Sequence, residues 1–168
     1  MTASVGSKIP SDAKLWHYKA EKDDYKPDEY DASHFFKGKK VVVFGLPGAF
    51  TTICSSKHLP DYVKRSDELI AKGADAIYCL SVNDAFVMHA WGKEYNAEPK
   101  VLMLADGDAS FHKALGLTQT LPGCGVRSLR YSMFVDDGVI KILEVEEPGA
   151  GGYKISGPTT MLNAMDKL

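Results

Sequence analysis

Between Lys40 and Leu46 the chain reads KVVVFGL, an unbroken apolar run that predicts a strand covered on both faces. ADAIYCLSV (Ala74 to Val82) and KVLMLAD (Lys100 to Asp106) repeat the pattern, the last ended by Asp106-Gly107. LWHYKA (Leu15 to Ala20) is a shorter early strand candidate, and the mixed-charge stretch EKDDYKPDEYD (Glu21 to Asp31) reads as a solvated loop. DASHFF (Asp31 to Phe36) reads as a short helix or turn with Asp31 or Ser33 available as cap. Helical spacing appears over Thr52 to Lys72, with Leu59, Val63, Leu69 and Ile70 apolar. Pro60 should kink or restart that helix, and Gly73 should close it. In AFVMHAWGKEYN, capped by Asn83 or Asp84, the residues Phe86, Ala90 and Trp91 are expected on one face. SFHKALGL is a short helix stopped by Gly116, and TQTLPGCGVRS (Thr118 to Ser128) reads as a loop. RYSMFVDDGVIKILEVEE is two strands joined by Asp137-Gly138, a hairpin signal, and Ser156 to Leu168 is a final helix with Pro158 near its first turn.

Strands alternate with helices, and a hairpin and a helix then close the chain. This predicts an α/β protein of one domain over residues 1–168, with a central mixed sheet flanked by helices. A terminal β-hairpin and helix after a βαβ unit resemble the thioredoxin-like fold, an analogy that carries no function by itself.

Composition narrows the partners. With 45% hydrophobic and 25% charged residues the chain is an ordinary globular one. A net charge of -2, and no run of Lys and Arg, give no footprint for nucleic acid. No apolar stretch reaches the ~18 residues of a membrane span. MTASVGSKIPSDAK lacks an apolar signal core, so a cytoplasmic location is expected, or an organellar one if a targeting segment has been trimmed.

Three cysteines, Cys54, Cys79 and Cys124, form no C-x-x-C and no zinc-like pairs. Cys54 is the one whose position carries chemistry. It falls in the first turn of a helix, just past the carboxyl end of a central strand. Free amides and the helix dipole there favour an anion, hence the thiolate. Thr51 lies about one turn before it. Its hydroxyl can face the sulfur, or it can serve as an N-cap; Pro47 can wall the site, or simply make the turn.

The segment Pro47-Gly48-Ala49-Phe50-Thr51-Thr52-Ile53-Cys54 matches P-x-x-x-T-x-x-C, and the sequence here resembles the peroxiredoxins. FGLPGAFTTICSSKHLPDY resembles the type II, peroxiredoxin-5-like branch. The similarity continues through LSVNDAFVMHAWGK, LMLADGDASFHKALGL and RSLRYSMFVDDGVIK, from about Val41 to the end of the chain. One departure stands before the cysteine, where the family's T-P-x-C is Thr51-Thr52-Ile53-Cys54 here.

The resemblance implies a thiol peroxidase acting on hydrogen peroxide and organic hydroperoxides, with no cofactor. Cys54 would be the peroxidatic cysteine, oxidised to a sulfenic acid, with Thr51 and Pro47 in the site. It also implies an arginine from a later strand. Arg130, directly before Tyr131 in a strand ending at Asp136, fits that pattern better than Arg127. The C-terminal resolving cysteine of some type II members is replaced by Lys154. Cys79 matches a cysteine that resolves in some plant-like members, and Cys124 sits in a flexible loop; either is a possible resolving thiol. Without them, glutathione, glutaredoxin or thioredoxin would recycle the sulfenic acid. A homodimer is also implied. His58, four residues after Cys54, is implied as a packing and hydrogen-bonding residue rather than a catalytic one. His17, His34, His89 and His112 have no ligand-like spacing. The alternative function is a non-catalytic redox relay or binding protein with a reactive Cys54; a disulfide oxidoreductase would need a C-x-x-C.

Overall fold

The central apolar runs lie side by side in one sheet. A computed structural model describes residues 2–19 and 26–168. Nine strands and six α-helices are defined among them: β1 Lys14–His17, β2 Asp28–Asp31, α1 Ser33–Phe36, β3 Lys40–Gly45, α2 Leu59–Lys64, α3 Ser66–Ala71, β4 Ala76–Ser81, α4 Ala85–Glu94, β5 Leu102–Ala105, α5 Ser110–Leu115, β6 Thr118–Leu121, β7 Gly125–Ser128, β8 Tyr131–Asp136, β9 Val139–Val145 and α6 Pro158–Met165. Seven strands form a mixed sheet in the order β2-β1-β5-β4-β3-β8-β9. β3, β4 and β5 are parallel, and the remaining pairings are antiparallel.

Successive side chains of β3 point to opposite faces, and both faces are covered. Val42 and Phe44 enter one core with Tyr62, Leu69, Met88, Trp91 and Met161, from α2, α3, α4 and α6. Val41 and Val43 enter the other with Phe35, Phe36, Phe111 and Leu115, from α1 and α5. The fold is thus a central mixed sheet with helices on both sides, thioredoxin-like in layout.

Five local expectations are corrected. Residues 28–31 form an edge strand rather than loop; the stretch from 20 to 25 lies outside the described residues. A charged edge strand shows no apolar alternation because one of its sides faces water. The first strand ends at His17. TQTLPGCGVRS is a β-hairpin, β6 with β7, whose turn uses left-handed Gly123 and Gly125. α1 starts after Ala32 with no side-chain cap, so neither Asp31 nor Ser33 has that job. On α4 the buried face is Ala85, Met88, Trp91 and Gly92, whereas Phe86 and Ala90 are exposed.

The helix after β3 is not one piece. A π-helical turn, Cys54–His58, precedes α2, and a break at Arg65 separates α2 from α3. Pro60 sits in the first turn of α2 and, with no N–H to give to the preceding turn, interrupts the helical ladder where the π turn meets α2. Leu59 and Leu69 are buried, but Ile70 is exposed.

Candidate active site

β3 delivers the chain to the site, and the turn after it is held from outside. Thr51 N–H donates to Gly48 O at 3.4 Å, and Ala49 N–H donates to Asn83 Oδ1 at 3.0 Å. Between them Phe50 adopts φ 62°, a left-handed value that is strained for an aromatic residue. Pro47 is buried. Its carbonyl accepts from Arg127 Nη1 at 3.2 Å, and Arg127 Nε donates to Cys124 O at 3.2 Å. Arg127 therefore ties the β6–β7 hairpin to the turn. A Cβ on Gly48 would lie 2.5 Å from Arg127 Nη1, so a larger residue there would push the guanidinium off Pro47 O.

Cys54 begins the π turn and is 1% exposed. Arg130, immediately before β8, is also 1% exposed. Its Nη2 lies 3.4 Å from Cys54 Sγ and donates to Ala150 O at 2.8 Å. Its Nη1 lies 3.0 Å from His58 Nδ1. Its Nε is buried with no partner among the described residues. The Thr51 hydroxyl donates to Gly48 O at 2.7 Å, so its proton is committed and its lone pairs can only accept. Cys54, Arg130 and His58 are thus brought together, with Thr51 and Pro47 on the turn beside them.

The state of His58 follows from its neighbours. Its Nε2 lies 3.2 Å from Ser156 O, which can only accept, so Nε2 carries the proton. Nδ1 then accepts from Arg130. Burial, and after it the Arg130 charge, push the imidazole well below its ordinary range, so the ring is neutral. Its one lone pair is taken, and it is no base for Cys54.

The other two thiols sit apart from this cluster. Cys79 is buried in mid-strand, paired between Phe44 of β3 and Met103 of β5. Burial, and after it Cys54, push the Cys79 thiol well up, which keeps it neutral. Cys124 is exposed on the β6–β7 turn. Among the described residues there is no His, Cys, Asp or Glu group able to hold a metal ion.

Residues beyond those read from the sequence complete the site. The segment after β9 supplies Ala150 O to Arg130, and Ser156 O to both His58 and Tyr62 Oη. Trp91 Nε1 donates to Ser55 Oγ at 3.1 Å, placing an indole next to the residue after Cys54. Neither Ala150 nor Ser156 carries a local signal, because each acts through its backbone carbonyl.

Comparison with known proteins gives this geometry its family. The Redoxin family model matches residues 4–161. The chloroplastic peroxiredoxin-2E-2 of Oryza sativa subsp. japonica is 43% identical over 98% of this chain and 73% of its own length. The reduced Prx3 of Vibrio vulnificus, solved in complex with hydrogen peroxide, is 45% identical with a TM-score of 0.89, covering 98% of this chain and 99% of that one. Peroxiredoxin 5 of Alvinella pompejana is 30% identical with a TM-score of 0.83, covering 99% of both chains. A buried thiol beside a buried guanidinium, on a fold shared along nearly its whole length with these proteins, places the chain in the peroxiredoxin family, in its type II, peroxiredoxin-5-like branch.

Proposed function

We propose that Cys54 is the peroxidatic nucleophile of this thiol-dependent peroxidase and that Arg130 is its electrostatic partner. The observation that carries this is the 3.4 Å approach of Arg130 Nη2 to Cys54 Sγ, with both residues 1% exposed. A cation in a water-poor site favours the thiolate and the charge that spreads over sulfur and both oxygens as the O–O bond breaks. The thiolate attacks the terminal oxygen of the hydroperoxide. Sulfur gains that oxygen as Cys54 sulfenic acid, and the departing alkoxide or hydroxide takes a proton to leave as alcohol or water. Arg130 Nε, with no partner among the described residues, supplies a further donor for a peroxide oxygen. The Thr51 hydroxyl, proton committed, accepts from the peroxide O–H, and buried Pro47 closes one wall.

The reductant is an external thiol. Cys79 is buried, neutral and bonded into the sheet on both sides, which disfavours it as an attacking thiolate. Glutathione, directly or through glutaredoxin, or thioredoxin attacks the sulfenic acid. Water is released and a mixed disulfide forms, and a second thiol restores Cys54. A resolving role for exposed Cys124 is the second reading. The chain is proposed to pair as a homodimer, using exposed Phe50 and Val126 on the two segments joined by Arg127. Among the described residues no helix is long and apolar enough to cross a membrane. An organellar location is one proposal, and relatives named chloroplastic and mitochondrial favour it.

The test is mass spectrometry of peroxide-treated protein without reductant, together with turnover of the variants. Oxygen should appear on Cys54, with no Cys54–Cys79 or Cys54–Cys124 disulfide. Cys54→Ser should be inactive and Cys124→Ser active. Retained turnover in Cys54→Ser overturns the reading.

A further inference from the structure

Glu146 carries a buried carboxylate that the chemistry above does not use. It follows β9 directly, and its N–H donates to Arg130 O at 2.9 Å, so the two residues face each other across the strand pair. Their charged ends do not meet. One carboxylate oxygen, Oε2, accepts from Lys154 N–H at 2.8 Å, Ile155 N–H at 2.9 Å, Ser156 N–H at 2.9 Å and Ser156 Oγ–H at 2.7 Å. Three successive amides folded around an anion form a nest, here filled from within the chain.

The segment held this way, residues 147–156, has no regular secondary structure, and most of it is exposed. One side chain packs inward: the Tyr153 ring lies 4.9 Å from that of His58 and its hydroxyl donates to Asp61 Oδ2 at 2.7 Å, while the rest of the backbone is held by hydrogen bonds. The segment supplies both carbonyls that orient the arginine: Ala150 O accepts from Nη2 directly, and Ser156 O accepts from His58, which in turn accepts from Nη1. Gln119 pins the segment's start through Gly149, and Glu146 pins its end. With its Oε2 turned into the nest, Glu146 makes no ion pair with Arg130. No carboxylate lies within ion-pair distance of that guanidinium among the described residues.

We infer that Glu146 is a positioning residue for peroxide reduction: by anchoring residues 154–156 it fixes the Ser156 carbonyl that, through His58, aims Arg130 at Cys54, and it leaves the arginine's charge unpaired for the sulfur. The inference rests on the Cys54–Arg130 reading above.

The test is the rate of sulfenic acid formation with hydrogen peroxide, followed by stopped-flow tryptophan fluorescence. Glu146→Ala should slow it ~10- to 100-fold, the scale on which small misplacements of a reacting group act. Glu146→Gln keeps an acceptor in the nest and should restore most of the rate. The decisive comparison is the double variant. If Glu146 acts through Arg130, adding Glu146→Ala to Arg130→Lys should slow the reaction by much less than it slows the parent. Equal slowing in both backgrounds, a parental rate in folded Glu146→Ala, or failure of Gln to rescue overturns the inference. Should Glu146→Ala not fold, Glu146→Asp takes its place. It keeps the charge but draws the carboxylate back by one methylene, and a parental rate there also overturns the inference. A parental rate in Arg130→Lys alone instead sinks the functional reading beneath it.

Discussion

The Nδ1 lone pair of His58 is occupied by Arg130 at 3.0 Å, while its Nε2–H is occupied by Ser156 O at 3.2 Å. A histidine one helical turn after a reactive cysteine invites assignment as its base, and this geometry leaves it no free lone pair to act with. His58→Ala should leave a buried guanidinium N–H unpaired, at a cost of about 1–3 kcal/mol beyond the lost packing. His58→Gln can accept with its oxygen and donate with its amide, and should recover much of that loss. Urea denaturation of both variants, beside stopped-flow oxidation, checks the pair. A stable His58→Ala with a parental peroxide rate would remove His58 from the network.

The two arginines of the RSLR stretch separate in the same assay. Arg130→Lys keeps the charge but loses the fork that reaches Sγ, His58 and Ala150 at once. Oxidation of Cys54 should slow by an amount equivalent to about 2–4 kcal/mol, the loss expected for one pre-aimed donor. Arg127→Lys loses the bonds to Pro47 O and Cys124 O but none to Cys54 Sγ. It should lower the peroxide rate far less. A slow Arg127→Lys beside a normal Arg130→Lys would exchange their roles.

Cys79 offers a test of accessibility. Its thiol is buried and held neutral, and β4 is flanked by strands on both sides. In folded protein at neutral pH, iodoacetamide should label Cys54 and Cys124 and spare Cys79, with Cys79 labelled only in denaturant. Peptide mapping decides the matter, and rapid native labelling of Cys79 would reopen a resolving role for it.

The parts of the molecule legible in the sequence are those whose physics is local. KVVVFGL is apolar on both faces, and β3 is buried on both faces. Asp137-Gly138 takes two positive φ values, and the chain turns back there. Cys54 is placed by the junction of a strand with a helix. The β6–β7 hairpin gives no strand pattern because its short strands are half exposed and polar, and β2 gives none because an edge strand can be charged. Resemblance, not pattern, favoured Arg130 over Arg127. Of the clamp on Arg130, the resemblance reaches only His58. His58 and Ser156 are 98 positions apart, and Ala150 and Ser156 contribute carbonyls that any residue possesses.

The Glu146 anchor makes a prediction about pH. Burial pushes its carboxyl up, but the Ser156 hydroxyl and the amides of Ile155, Ser156 and Lys154 together outweigh it, and the net shift is downward from an ordinary value of 4.5. A carboxylate with a depressed value binds its proton less readily in the folded state than in the unfolded one. Its stabilising contribution is therefore fully present above that ordinary value and is lost as pH falls through the folded value. Lys154 and Arg130 do not complicate the sign: Lys154 offers its amide to the nest, and Arg130 meets Glu146 through backbone alone. Glu146→Gln has no such ionisation. The thermal midpoint of the parent should exceed that of Glu146→Gln near neutral pH, and the gap should narrow as the solution is taken below the ordinary carboxyl value. Melting curves of the two proteins across that range check it. A gap that stays constant, or widens towards acid, would mean that the carboxylate in the nest carries no net charge stabilisation, and that its grip on residues 154–156 is one of shape alone.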